Sequence, residues 1–141
     1  DDPSNYDENF LRVKVRKLVS KLENDGLSFE KFQKTLNNLN KSNFALEYFV
    51  KKNINDNSSI LPLNKSVILN ENFLNQPSEI VFRSFSEVIQ RVGKKNIYSR
   101  GSKVENLINY LRSSKNVKKK TLSGCIIQKF EKSVIISPEI R

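Results

Sequence analysis

Residues 125–137 read CIIQKFEKSVIIS, two runs rich in β-branched residues on either side of Glu131-Lys132. Isoleucine and valine suit the pleated surface of a strand, and two polar residues between such runs read as a hairpin, although the favoured Asn-Gly turn is lacking. Most of the chain upstream keeps the helical period of 3.6 instead, so this hairpin separates an α+β reading from an all-helical one. The short run SVIL at 66–69 offers a third strand. The expected fold class is α+β: mainly helical, with an antiparallel helix hairpin at the N-terminus, then further helices and a small antiparallel β element near the C-terminus.

Immediately before the hairpin, KNVKKK (115–120) reads as a charged loop. Ser102-Lys103-Val104-Glu105 has the form of a capping box, and the helix behind it turns Val104, Leu107, Ile108 and Leu111 inward. Pro77 opens a longer helix, with Val81, Phe85, Val88 and Val92 on its apolar face and Gly93 at its end. Residues 54–64, INDNSSILPLN, read as a polar linker and mark the boundary between a helical unit (1–57) and a basic α+β unit (58–141).

In the first of these, turn chemistry at 1–5 leads into a helix from about Asn5 to Asn24, with a capping box at Ser4 and Asp7. Leu11, Val15, Leu18 and Leu22 form its apolar stripe, and Gly26 supplies the stop. Ser28 caps a second helix, Phe29 to Asn53, with Phe29, Phe32, Leu36, Leu39, Leu46 and Val50 on one side. Joined by so tight a turn, the two helices are expected to face their stripes toward each other, with the aromatics in the core.

Charge is the most informative bulk property. The 141 residues carry a net charge of +10, and it is unevenly spread. Residues 83–132 hold 13 Lys and Arg against 3 Asp and Glu, while the remainder holds 12 of each. Concentration of the whole excess in one stretch is the footprint of a polyanion-binding surface. Lys94, Lys95, Arg100 and Lys103 flank one end of the short helix near 104–111, with Arg91 closing the helix before it. Arg112, Lys115, Lys118, Lys119 and Lys120 flank the other end. With its flanking turns that helix runs to about three turns, roughly 18 Å at 1.5 Å per residue, so its basic ends span several phosphates. Tyr98 sits in the first basic loop, where a base can stack on it. Arg12 and Arg16, four apart on the first helix, can reach one target together.

Catalysis finds little support in these residues. Histidine is absent, which removes Ser-His and Cys-His arrangements and the commonest metal ligand. Gly26, Gly93, Gly101 and Gly124 are isolated, whereas phosphate-cradling loops need closely spaced glycines. Cys125, the single cysteine, lies in an apolar strand pattern and reads as a small buried hydrophobe, consistent with a reducing, cytoplasmic setting. No apolar run approaches the ~18 residues of a membrane span. No catalytic or metal-binding residue is assigned.

Asp2-Pro3-Ser4-Asn5, continuing to Phe10-Leu11-Arg12 and Val15-Arg16, resembles the segment that joins the catalytic domain to the tRNA-binding region in bacterial tRNA(Ile)-lysidine synthetases. That family carries an Asp-x-Ser-Asn turn and then an Arg-Asn-x-Ile/Val-Arg helix. TLSGCII (121–127) is similar to its Thr-Leu-Gly-Gly-Cys hairpin, and YSRGSK (98–103) to a basic loop ahead of it. Two positions depart: Val13 stands where the family usually has Asn, and Ser123 replaces a glycine.

The resemblance implies a ligase that activates the wobble cytidine of an isoleucine tRNA with ATP, after which lysine's amine displaces AMP. It also implies that ATP, with magnesium, binds a Ser-Gly-Gly-x-Asp-Ser loop in an upstream catalytic domain. No such loop occurs in these residues, so no cofactor is expected here and the segment alone is expected to be inactive. The implied partners are an isoleucine tRNA and the upstream catalytic domain of the same chain, with a homodimer left open and no membrane. Arg12 and Arg16 would approach the tRNA, and the later basic residues would hold its body. Two alternatives stay open, a free-standing basic RNA-binding adaptor and a protein-interaction module whose lysines only keep it in solution.

Overall fold

A computed structural model of the chain describes residues 11–93 and 101–139. Two compact units divide it, Asp1–Phe44 and Ala45–Arg141.

The first unit contains α1 (Leu11–Asn24) and the opening turns of α2 (Phe29–Asn57). Between them, the Gly26 amide donates to the Glu23 carbonyl at 3.0 Å and the Leu27 amide to the Leu22 carbonyl at 2.9 Å. With Gly26 at φ 93° this is a Schellman motif, which satisfies the last carbonyls of α1. The Ser28 hydroxyl accepts the Lys31 amide at 3.2 Å and caps α2 as expected.

The stripes behave differently from expectation. Val13 is the buried residue of α1, while Leu11 and Phe29 are 75% and 71% exposed and Phe32 is 49% exposed. The expectation that these aromatics form a core is therefore corrected. Helical spacing shows that a face is apolar, but burial also needs a second layer to cover it. Two helices alone supply too little.

α2 continues to Asn57, four residues past its expected end, and its last turns belong to the second unit. There it is followed by β1 (Ser58–Leu61), β2 (Ser66–Leu69), α3 (Glu71–Leu74), α4 (Ser78–Gly93), α5 (Gly101–Ser113), β3 (Asn116–Leu122), β4 (Cys125–Phe130) and β5 (Ser133–Pro138). The strands form one antiparallel sheet in the order β1-β2-β5-β4-β3. Its three central strands are the three expected from the sequence. Both edges are additions: the supposed linker at 54–64 carries the end of α2 and β1, and the supposed charged loop at 115–120 carries most of β3. Ser102 lies inside α5 rather than ahead of it, so the capping-box expectation there is also corrected.

Period-two alternation divides the sheet. Leu69, Ile127, Val134 and Ile136 are buried toward the helices, where α4 contributes Val81 and Phe85, both fully buried. Ile68, Ile126 and Ile135 point to the opposite face and are half-buried. Buried Asn53 ties three elements together, its amide donating to the Phe73 carbonyl at 3.3 Å and the Ser84 hydroxyl at 3.2 Å. A buried amide left without such partners would be costly, so this network fixes how α2, α3 and α4 meet.

The β3–β4 connection is the two-residue turn Ser123-Gly124, with Leu122 paired to Cys125. Both turn residues have positive φ, 51° and 78°, the combination that matches the right-handed twist of the flanking strands. Serine carries the steric cost of that angle and glycine does not. Ser123→Gly relieves about 1–2 kcal/mol of left-handed strain and loses about 0.5–1 kcal/mol to glycine's greater entropy, so stability is expected to rise by about 0.5–1 kcal/mol, or ~2–5 °C in melting temperature. A lower melting temperature would mean that the serine side chain contributes more than its backbone angle costs.

Candidate nucleic-acid interface

Val104, Ile108 and Leu111 are buried and fix the inward face of α5. The rotation this imposes leaves Lys103, Asn106 and Tyr110 exposed along one outward stripe. At the neighbouring sheet edge, β3 pairs Val117 with Lys129 and Lys120 with Ile127, one residue out of step. That irregularity is a bulge between Val117 and Lys120, which leaves Lys118 and Lys119 exposed side by side. Gln128 pins it, its amide donating to the Lys118 carbonyl at 2.9 Å.

Because Lys120 lies opposite the fully buried Ile127, it shares the helix-bearing face of the sheet. Its ammonium sits 5.0 Å from the centre of the Tyr110 ring. This contact joins β3 to the exposed stripe of α5. Lys115 lies exposed between the two elements. Among the described residues, Lys103, Lys115, Lys118, Lys119 and Lys120 have no carboxylate partner, so their charge is available to a ligand.

Other basic residues are engaged with the protein. The Arg112 guanidinium donates through Nε and Nη2 to the Leu74 carbonyl at 3.0 and 2.9 Å, and through Nη2 to the Gln76 carbonyl at 3.2 Å. It clamps the end of α5 to the segment after α3. Lys129 Nζ donates to the Leu111 carbonyl at 2.6 Å, near the C-terminus of α5, where a cation also meets the negative end of the helix dipole. Arg91 pairs with Glu87 one turn earlier in α4. Lys132 pairs with Glu71 at 2.8 Å, and this hydrogen-bonded carboxylate raises its pKa above the ordinary lysine value.

Arg12 and Arg16 are exposed on α1, in the first compact unit. Lys94, Lys95, Tyr98 and Arg100 lie outside the described residues. Of the thirteen candidates, the structure thus gathers Lys103, Lys115, Lys118, Lys119 and Lys120 around α5 and β3 and assigns Arg112 and Arg91 intramolecular partners. Tyr110 was missed. The available signal was its position off the inward stripe of α5, which marks a large aromatic with no place in the core.

A cleft lined by Glu71, Leu74, Asn75, Arg112, Lys129, Glu131 and Lys132 lies beside these elements; in it Lys132 pairs with Glu71, while Arg112 and Lys129 are held by backbone carbonyls. Among the described residues no group of three or more His, Cys, Asp and Glu is arranged to hold a metal ion. No helix of the described residues is long and apolar enough to cross a membrane.

No family model matches the chain. Over 139 residues, 99% of its length, it is 25% identical to the tRNA(Ile)-lysidine synthase of Wolbachia pipientis wMel. The chain spans 32% of that protein, about a third of the relative's length. The likeness therefore runs through both compact units rather than through one motif.

Proposed function

We propose that this chain is the tRNA-recognition portion of a lysidine-forming ligase of the tRNA(Ile)-lysidine synthase kind. The observation that carries this reading is the grouping of carboxylate-free lysines on α5 and the β3 edge. End-to-end similarity to part of a tRNA-modifying enzyme supports it. Binding is the role these residues suit: exposed ammonium groups take phosphates, and five released counterions make association strongly salt-dependent. Chemistry on one base requires that base to be held at a reaction centre, and positioning of this kind supplies much of the barrier reduction in such a step. The ATP-dependent step belongs, in this reading, to another part of the enzyme, and Arg12 and Arg16 on α1 add contacts nearer to it.

The test is a salt titration of the chain with isoleucine tRNA, followed by competition with bulk tRNA. With about five phosphates engaged, log K against log[salt] should slope roughly −3.5 to −4.5. Preference for isoleucine tRNA supports the ligase reading. Equal affinity for both favours a free-standing RNA adaptor, and no RNA affinity at low salt favours a protein-interaction module.

A further inference from the structure

We infer that Tyr110 and Lys120 together read a single nucleotide, the tyrosine ring stacking on an unpaired RNA base and the lysine ammonium taking that nucleotide's phosphate. This rests on the tRNA-binding reading above and adds a residue and a substrate feature to it.

The inward face of α5 is complete without Tyr110, since Val104, Ile108 and Leu111 are between 0% and 5% exposed. Tyr110 is 44% exposed, so packing gives no account of a large aromatic at this position. Around it lie an ammonium at 5.0 Å from the ring centre and two further unpaired lysines, Lys118 and Lys119, along the β3 edge. A cation over an exposed ring is a weak contact, strong enough to orient both groups and readily exchanged for a phosphate. Every base has a π-face, so one stacked ring beside one cation makes a platform for a nucleotide of any sequence. An A-form duplex hides those faces, whereas loops, bulges and ends present them. The platform therefore selects unpaired nucleotides, while the neighbouring lysines take the backbone of paired and unpaired RNA alike.

The full chain would be titrated with a single-stranded oligoribonucleotide carrying a fluorescent adenine analogue, and separately with a blunt RNA duplex. Tyr110→Ala should weaken single-strand binding roughly 5- to 150-fold, with its salt slope unchanged and duplex binding unaffected. Tyr110→Phe should bind like the parent. Tyr110→Leu, which keeps apolar bulk without a π-face, should behave like Tyr110→Ala and guards against a folding defect. Lys120→Gln should instead reduce the slope by about 0.7. If the parent chain binds RNA and Tyr110→Ala and Tyr110→Leu bind the single strand equally well, the nucleotide platform is wrong while the tRNA-binding reading stands. Should the parent bind neither RNA, both fall together.

Discussion

Replacing Lys118, Lys119 and Lys120 together by Ala is expected to flatten the salt dependence of tRNA binding by about 2 to 2.7 units of log–log slope. The same relation extended from 1 M salt to 0.1 M corresponds to an affinity loss on the order of 10²-fold. All three side chains are exposed, so the melting temperature should stay where it is. A different role is available to these lysines, because charges on an edge strand prevent sheets from pairing with one another. The two roles give opposite results. Lysines that only protect the edge would leave RNA affinity intact, and their loss would show as self-association in ultracentrifugation. Lysines that grip phosphate lower the slope in a chain whose sedimentation is unchanged.

Gly93→Ala is expected to cost about 3 kcal/mol, the upper end of what overpacking does, and roughly 10 °C in melting temperature. A Cβ at this position would lie 2.3 Å from the Ser123 carbonyl oxygen and 3.0 Å from the Cys125 sulfur. The carbonyl belongs to the backbone of the β3–β4 turn and cannot rotate aside, so either the end of α4 or the turn has to move. That displacement would reach the start of β4 and loosen the register that sets Lys120 against Ile127. RNA binding by Gly93→Ala should therefore fall along with stability, unlike the lysine variants. A thermal transition identical to the parent's would mean that α4 and the turn do not approach so closely.

Gly93 also shows how much of the fold the sequence discloses. The sequence offers this glycine as a helix stop, but what the structure shows is the approach of a turn thirty residues on, which local pattern does not contain. The three central strands were legible because valine and isoleucine dominate them and buried strands need that chemistry. β3 was hidden by its own lysines, since NVKKKTL carries a single buried residue, Val117, and shows no apolar alternation. β1 was hidden by its brevity and by serines typical of turns. The helix starts and stops at Gly26, Ser28 and Pro77 follow backbone chemistry and were read correctly. The core of the first unit was not, because an apolar stripe records the need for cover without naming what supplies it.

Much the same holds for the candidate site. The basic run at 115–120 was visible as charge, but its setting on a strand beside α5 depends on pairing across the sheet. Arg112 looked like the other cations in sequence and differs only through the Leu74 and Gln76 carbonyls it meets in space. Tyr98 drew attention because it stands among basic residues in sequence. Tyr110 meets its lysine only in the folded chain.

The most direct measurement is an amide-resolved NMR titration of the isotope-labelled chain with isoleucine tRNA at low salt. The largest shifts should fall on Lys118–Lys120 and on the outward stripe of α5, from Lys103 to Tyr110, with the buried central strands little changed. Shifts confined to α1 and α2, or an unchanged spectrum at saturating tRNA, would contradict it.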